Sequence, residues 1–192
     1  MSLYQSLESL ANSIRTKKGI TKKMTIEQMI EELKFPTLDR LYAKALVGIV
    51  TIPSGVTELG YACFSHFYNV TKFVLPNTIT TIGNSCFWYC MALTEINIPT
   101  SVLSIGNSTF RGCSALPSII IPSSVTSLGK TCFRDCTKLK SVRVERSTPP
   151  TAGTDLFLNC PSDLKIYVPS SAVSAYQTAT NWSTYATQIY GY

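Results

Sequence analysis

Residues 98–116 read Ile98-Pro99-Thr100-Ser101-Val102-Leu103-Ser104-Ile105-Gly106-Asn107-Ser108-Thr109-Phe110-Arg111-Gly112-Cys113-Ser114-Ala115-Leu116, and the same frame returns on both sides of this stretch. Pro53, Pro76, Pro99 and Pro122 are 23 residues apart, as are Gly60, Gly83, Gly106 and Gly129, and Phe64, Phe87, Phe110 and Phe133. Aliphatic residues keep the same step in three further columns: Val56, Ile79, Val102, Val125; Leu59, Ile82, Ile105, Leu128; and Val70, Leu93, Leu116, Leu139. A fixed period of this size marks a stacked repeat, in which one coil cannot bury its apolar face but neighbouring coils share a core.

Ahead of each proline lies a short alternating segment: Phe73 and Leu75, Ile96 and Ile98, Ile119 and Ile121, Val142 and Val144, preceded by Val50 and Ile52 and followed by Ile166 and Val168. Period-two spacing of aliphatic residues predicts strands with one buried face, pairing in parallel at ~4.8 Å per coil. The proline ends the strand because it has no N–H for a ladder. The glycine column marks a bend that needs either positive φ or close backbone approach. Each coil is expected to hold one strand, a turn and a short helical turn carrying the phenylalanine.

The pattern Ile-Pro-x-x-Val-x-x-Ile-Gly-x-x-x-Phe-x-x-Cys-x-x-Leu resembles the BspA-like (Treponema-type) leucine-rich repeat over about residues 46–168. Phe67 departs from it by replacing the cysteine in the first full copy, and the fifth copy is irregular around Thr148–Leu158. The resemblance implies a curved β-solenoid with a role in adhesion or recognition.

The expected architecture is an α+β repeat: a leucine-rich-repeat β-solenoid with parallel strands over residues 46–168, flanked by an amino-terminal helical hairpin and a carboxy-terminal helical cap. In the cap, residues 169–192, Ser170 and Ser171 are suited to cap a helix, while Val173, Tyr176, Trp182, Tyr185 and Ile189 close the core. In the hairpin, residues 1–34, Leu3, Leu7, Leu10 and Ile14 share one helical face, and Ile26, Met29, Ile30 and Leu33 share another. Lys17–Lys23 form the turn, and residues 35–45 are the linker. Neither helix is long enough to stand alone, so the hairpin must pack on the first coil, on its partner helix or on another copy of the chain, and residues 1–34 are expected to mediate attachment or self-association. Residues 10–33 also resemble an amino-terminal segment of structural proteins from phages and prophages of Gram-positive bacteria, which implies docking to other virion proteins and a homo-oligomer such as a trimer.

Composition excludes several classes. With 45% hydrophobic and 15% charged residues the chain is that of a folded protein. The net charge of +6 is dispersed except at Lys17, Lys18, Lys22 and Lys23, where no aromatic residues interleave, so no nucleic-acid partner is expected. Neither a secretory leader nor a membrane-spanning run is read, and no membrane insertion is expected. The seven cysteines fall into two repeat columns, Cys63, Cys86 and Cys132, and Cys90, Cys113, Cys136 and Cys160, a register that suits small buried groups and free thiols better than zinc ligands. No cofactor, metal or catalytic residue is expected: His66 is the single histidine, and no nucleophile elbow, phosphate loop or His-Glu-x-x-His is present.

Columns that vary mark the surface. Ser65, Trp88, Arg111 and Arg134 share one, and His66, Tyr89, Gly112 and Asp135 the next; both follow the buried phenylalanine and are expected to point outward. Trp88, Tyr89, Arg111, Arg134 and His66 are therefore candidate binding residues, with the alternative that Arg111 simply covers Trp88. On the strand face the outward column is Val74, Asn97, Ile120, Arg143 and Tyr167, of which Asn97, Arg143 and Tyr167 join the candidates. Three roles follow. The first is a non-enzymatic virion appendage of tail or head fibre type, contacting a host surface protein or glycan through the solenoid. The others are a bacterial cell-surface adhesin and an intracellular protein-binding scaffold.

Overall fold

The computed structural model describes residues 47–192, so the expected hairpin at 1–34 and linker at 35–45 lie outside the described residues. Twelve strands run in chain order: β1 (Gly48–Thr51), β2 (Glu58–Leu59), β3 (Val70–Val74), β4 (Thr81–Ile82), β5 (Glu95–Ile96), β6 (Ser104–Ile105), β7 (Ser118–Ile121), β8 (Ser127–Leu128), β9 (Ser141–Val144), β10 (Thr151–Ala152), β11 (Lys165–Val168) and β12 (Ile189–Gly191). The six long alternating segments form the odd-numbered strands β1 to β11 except that β5 is only two residues long, and every pairing among them is parallel. The 23-residue step sets the register: Val50 faces Phe73, Phe73 faces Ile96, and Ile119 faces Val142.

This ladder breaks once, into β1-β3-β5 and β7-β9-β11-β12. Pro117 explains the break. In its column the Thr94 N–H donates to Thr71 and the Lys140 N–H to Pro117, but Pro117 has no N–H to donate back to Thr94.

A second parallel sheet, β2-β4-β6-β8-β10, was not expected from the sequence. Its strands are two residues long and carry one buried residue each through β8: Leu59, Ile82, Ile105 and Leu128. The glycine column follows directly. Of its two expected explanations, close approach is the operative one: a Cβ on Gly106 would lie 2.5 Å from the Asn84 nitrogen, and one on Gly129 2.3 Å from the Asn107 nitrogen. The helical turn expected around each phenylalanine is instead a run of hydrogen-bonded turns containing left-handed residues.

Between the sheets the phenylalanines form one stack. Phe64, Phe87, Phe110, Phe133 and Phe157 follow one another at centroid distances of 5.3–5.6 Å with planes within 14° of parallel. All are buried, and each contributes ~1.5–3 kcal/mol by leaving water. Beside this stack runs a thiol column: Cys90, Cys113, Cys136 and Cys160 donate to the carbonyls of Phe64, Phe87, Phe110 and Phe133, all at 3.1–3.2 Å. The other cysteine column is interrupted by Thr109, which is fully buried and donates to the Gly83 and Gly106 carbonyls. Burial pushes the Cys132 thiol up to about 12 and raises Cys86, Cys90 and Cys113 well above the ordinary thiol range. All seven cysteines are free.

The carboxyl end closes the stack with one short helix, α1 (Val173–Thr178), two 3-10 turns and β12. Trp182 and Tyr176 are fully buried and meet edge to face at 5.0 Å, and Trp182 and Tyr185 pack against Phe157 at the end of the phenylalanine stack. The Trp182 Nε1–H donates to the Pro150 carbonyl at 2.8 Å, and the Tyr176 hydroxyl to the Arg146 carbonyl at 2.8 Å. The expected capping by Ser170 and Ser171 does not occur. No side chain caps the helix or the preceding 3-10 turn, and the Ser170 hydroxyl donates instead to the Tyr192 carbonyl, fastening β12 beside β11.

Candidate functional site

After each short strand the chain reverses through a turn with two left-handed residues. The first positions are Ala62, Ser85, Ser108, Thr131 and Asp155; the second are His66, Tyr89, Gly112, Asp135 and Asn159. Left-handed backbone costs most residues about 1–2 kcal/mol and is least costly for glycine, asparagine and aspartate. The three later coils place those three residues, Gly112, Asp135 and Asn159, at the second position. The first two coils place His66 (φ 65°) and Tyr89 (φ 55°) there. Glycine serves at the same position of a later coil, so the rings of His66 and Tyr89 carry a local backbone cost.

The rings form one cluster. His66 meets Trp88 edge to face at 4.9 Å, Tyr68 edge to face at 5.5 Å, and Tyr89 in a near-parallel arrangement at 5.8 Å; Trp88 and Tyr89 are 5.2 Å apart. Ser65 Oγ lies 2.7 Å from His66 Nδ1 and fixes the imidazole. The Tyr89 ring reaches over Gly112, where a Cβ would stand 2.6 Å from its Cδ1. All four cluster residues are half-buried, and the buried Trp88 Nε1 has no hydrogen-bond partner, a second local cost at the same place.

Two coils further on the row turns polar. Asp135 accepts from the Arg111 Nε–H at 3.2 Å and from Asn159 Nδ2 at 2.7 Å, with Arg134 Nε at 3.6 Å. Partial desolvation opposes ionisation of Asp135, but the Asn159 and Arg111 hydrogen bonds and the two guanidinium charges outweigh it and hold the carboxyl below its usual range. Arg111 is thus engaged by Asp135, while the cation–π contacts of the described residues lie elsewhere. His66, Trp88, Tyr89, Arg111 and Arg134 fall on this one row, joined by Tyr68, Asp135 and Asn159.

Asn97, Arg143 and Tyr167 lie apart from the row, on the strand face. Asn97 and Arg143 are exposed and Tyr167 is half-buried. They are extended by two residues absent from the sequence-based set: Arg143 lies 3.7 Å over the Tyr192 ring, and Tyr190 packs 6.2 Å from Tyr167 with Lys165 Nζ 5.8 Å from its centroid.

Residues 39–184 match the BspA type leucine rich repeat region, in six copies. The chain belongs to the BspA-type leucine-rich repeat family. Its fold is similar to that of a leucine-rich repeat protein of Treponema pallidum (TM-score 0.61, 21% identity, 74% of this chain and 67% of that one). It is similar also to a leucine-rich repeat protein of Bacteroides ovatus (TM-score 0.52, 28% identity, 62% and 37%) and to the pneumococcal vaccine antigen PcpA (TM-score 0.55, 20% identity, 74% and 39%). The chain thus spans under two fifths of the length of the last two structures. No curated protein matches it.

The BspA-type frame accounts for the buried columns and leaves the turn row and the strand face free to vary. Repeats of this type suit a binding or structural protein. Among the described residues no group of three or more His, Cys, Asp or Glu is placed to hold a metal ion, and no helix is long and apolar enough to cross a membrane. Chemically, the row combines half-buried rings with a carboxylate already neutralised by two arginines, an arrangement for contact and hydrogen bonding.

Proposed function

We propose that this chain is a non-enzymatic recognition protein that contacts a surface protein or glycan through the turn row from His66 to Asn159. The observation that carries this reading is the placing of His66 and Tyr89 in left-handed backbone that the same column elsewhere gives to Gly112, Asp135 and Asn159. The test is adhesion of the purified chain to mucus and to bacterial cells. Tyr89→Ala combined with Trp88→Ala should lower retention at least tenfold, with the far-ultraviolet spectrum retained. Equal retention by the folded variant refutes the row as the contact surface. Periodate and protease treatment of the target surfaces then separate a glycan from a protein partner.

Two carriers fit this role. Family membership supports display on a bacterial cell surface. The likeness of residues 10–33 to phage structural proteins supports a virion appendage, with residues 1–34 providing attachment or oligomerisation. Immunogold labelling of lysates and whole cells separates them: label on particles supports the virion, label on cell envelopes the adhesin.

A further inference from the structure

The two cysteine columns differ in what their thiols can reach. In the column beside the phenylalanine stack, each thiol from Cys90 to Cys160 donates to the carbonyl of a phenylalanine in the coil before. In the other column Thr109 separates Cys86 from Cys132, and Leu156 occupies the far side of Cys132, so within that column Cys63 and Cys86 are the one pair on successive coils. Cys136 and Cys160 also meet through their side chains, but each of these thiols donates to a phenylalanine carbonyl. The Cys63 and Cys86 sulfurs lie 3.2 Å apart. Stacked coils hold their backbones ~4.8 Å apart, inside the range of Cα separations, about 4.4–6.8 Å, that a disulfide spans. Cys63 is half-buried, while Cys86 is fully buried beneath it.

We propose that Cys63 and Cys86 form an oxidation site, closing to a disulfide that bolts the first described turn to the second when a peroxide is present. Cys63, the accessible partner, attacks as thiolate. Its sulfur bonds to one peroxide oxygen, the O–O bond breaks, and the departing hydroxide takes a proton to leave as water, giving a sulfenic acid on Cys63. The Cys86 sulfur then attacks the sulfenyl sulfur. The S–S bond forms, the S–O bond breaks, and hydroxide leaves as water with the Cys86 proton. Two thiols lose two electrons in total, and one peroxide becomes two waters.

Burial holds Cys86 protonated, which suits it to the second step, where its proton departs with the leaving group, and makes it a poor first nucleophile. The consequence reaches the aromatic cluster. Cys63 lies three residues before His66, and Cys86 three residues before Tyr89. The bridge therefore ties together the two turns that present the rings, at the end of the solenoid where the phenylalanine stack begins.

The experiment treats the reduced full chain with a small excess of hydrogen peroxide, blocks the remaining thiols, and maps tryptic peptides without reduction. The expected product is residues 45–72 joined to residues 73–111, lighter by about 2 Da than the two reduced peptides together. Cys86 and Cys90 share the second peptide, so fragmentation must place the bridge at Cys86. Five thiols should remain open to alkylation after denaturation, and the oxidised chain should unfold several degrees higher. Cys63→Ser, at a half-buried position, should abolish the cross-link, and Cys132→Ser should leave it intact. A bridge at Cys90, a bridge between Cys136 and Cys160 in place of the expected one, over-oxidation of Cys63 without a cross-link, or seven thiols still free would each overturn the proposal.

Discussion

The Cys113 Sγ–H donates to the carbonyl of Phe87, one coil earlier, at 3.2 Å. Cysteine suits this place because it is small enough for a packed column and still carries a donor. Cys113→Ala keeps the fold but loses the bond and leaves a small void. It should destabilise the chain by about 1–2 kcal/mol in urea unfolding. An unchanged midpoint would mean that the thiol column is passive filler.

Gly129 and Gly112 should fail differently. A Cβ on Gly129 strikes backbone 2.3 Å away, which cannot move without parting two coils, so Gly129→Ala should cost more than about 2 kcal/mol. At Gly112 the first obstacle is the Tyr89 ring, together with a φ of 75°. Gly112→Ala should cost about 1 kcal/mol and displace the ring. Thermal unfolding ranks the two, and tyrosine near-ultraviolet dichroism reports the second.

Trp182 is fully buried, donates to the Pro150 carbonyl and packs against Phe157. Its truncation to alanine should cost about 3–5 kcal/mol and expose the end of the phenylalanine stack to a hydrophobic dye. A loss under 1 kcal/mol would show that the solenoid closes without it.

Acid should loosen the polar half of the row. The folded pKa of Asp135 lies below its unfolded value, so its contribution is complete above the unfolded pKa, about 4. It is lost as pH falls through the folded pKa. Stability should therefore decline below about pH 4, and less steeply in Asp135→Asn, which cannot titrate. Identical acid limbs for the two proteins would remove Asp135 from the account.

The repeat columns were legible because burial repeats at a fixed step, and the strands at Phe73, Ile119 and Val142 followed from alternation. The second sheet was hidden because Thr81–Ile82 and its equivalents are too short for alternation to register. Left-handed backbone at Tyr89 left no trace beyond Gly112, Asp135 and Asn159 in its column, and Asn159 is displaced one residue by the irregular fifth copy. Arg111 turned to Asp135 instead of Trp88 because a carboxylate two coils from the ring offers a charged hydrogen bond, a choice set by side-chain geometry that spacing does not encode. Strand β12 escaped notice because Ile189–Gly191 is only three residues long, too short for alternation to register, and is held beside β11 by Ser170.

The row and the strand face make opposite demands on one measurement. Hydroxyl-radical footprinting of the chain, free and bound to its target cells, reads the oxidation of Tyr68, Trp88 and Tyr89 against Tyr190 and Tyr192. Recognition through the row predicts protection of the first three on binding, with Tyr190 and Tyr192 oxidised as in the free chain. Protection confined to Tyr190 and Tyr192 would move the contact to the strand face and contradict the account.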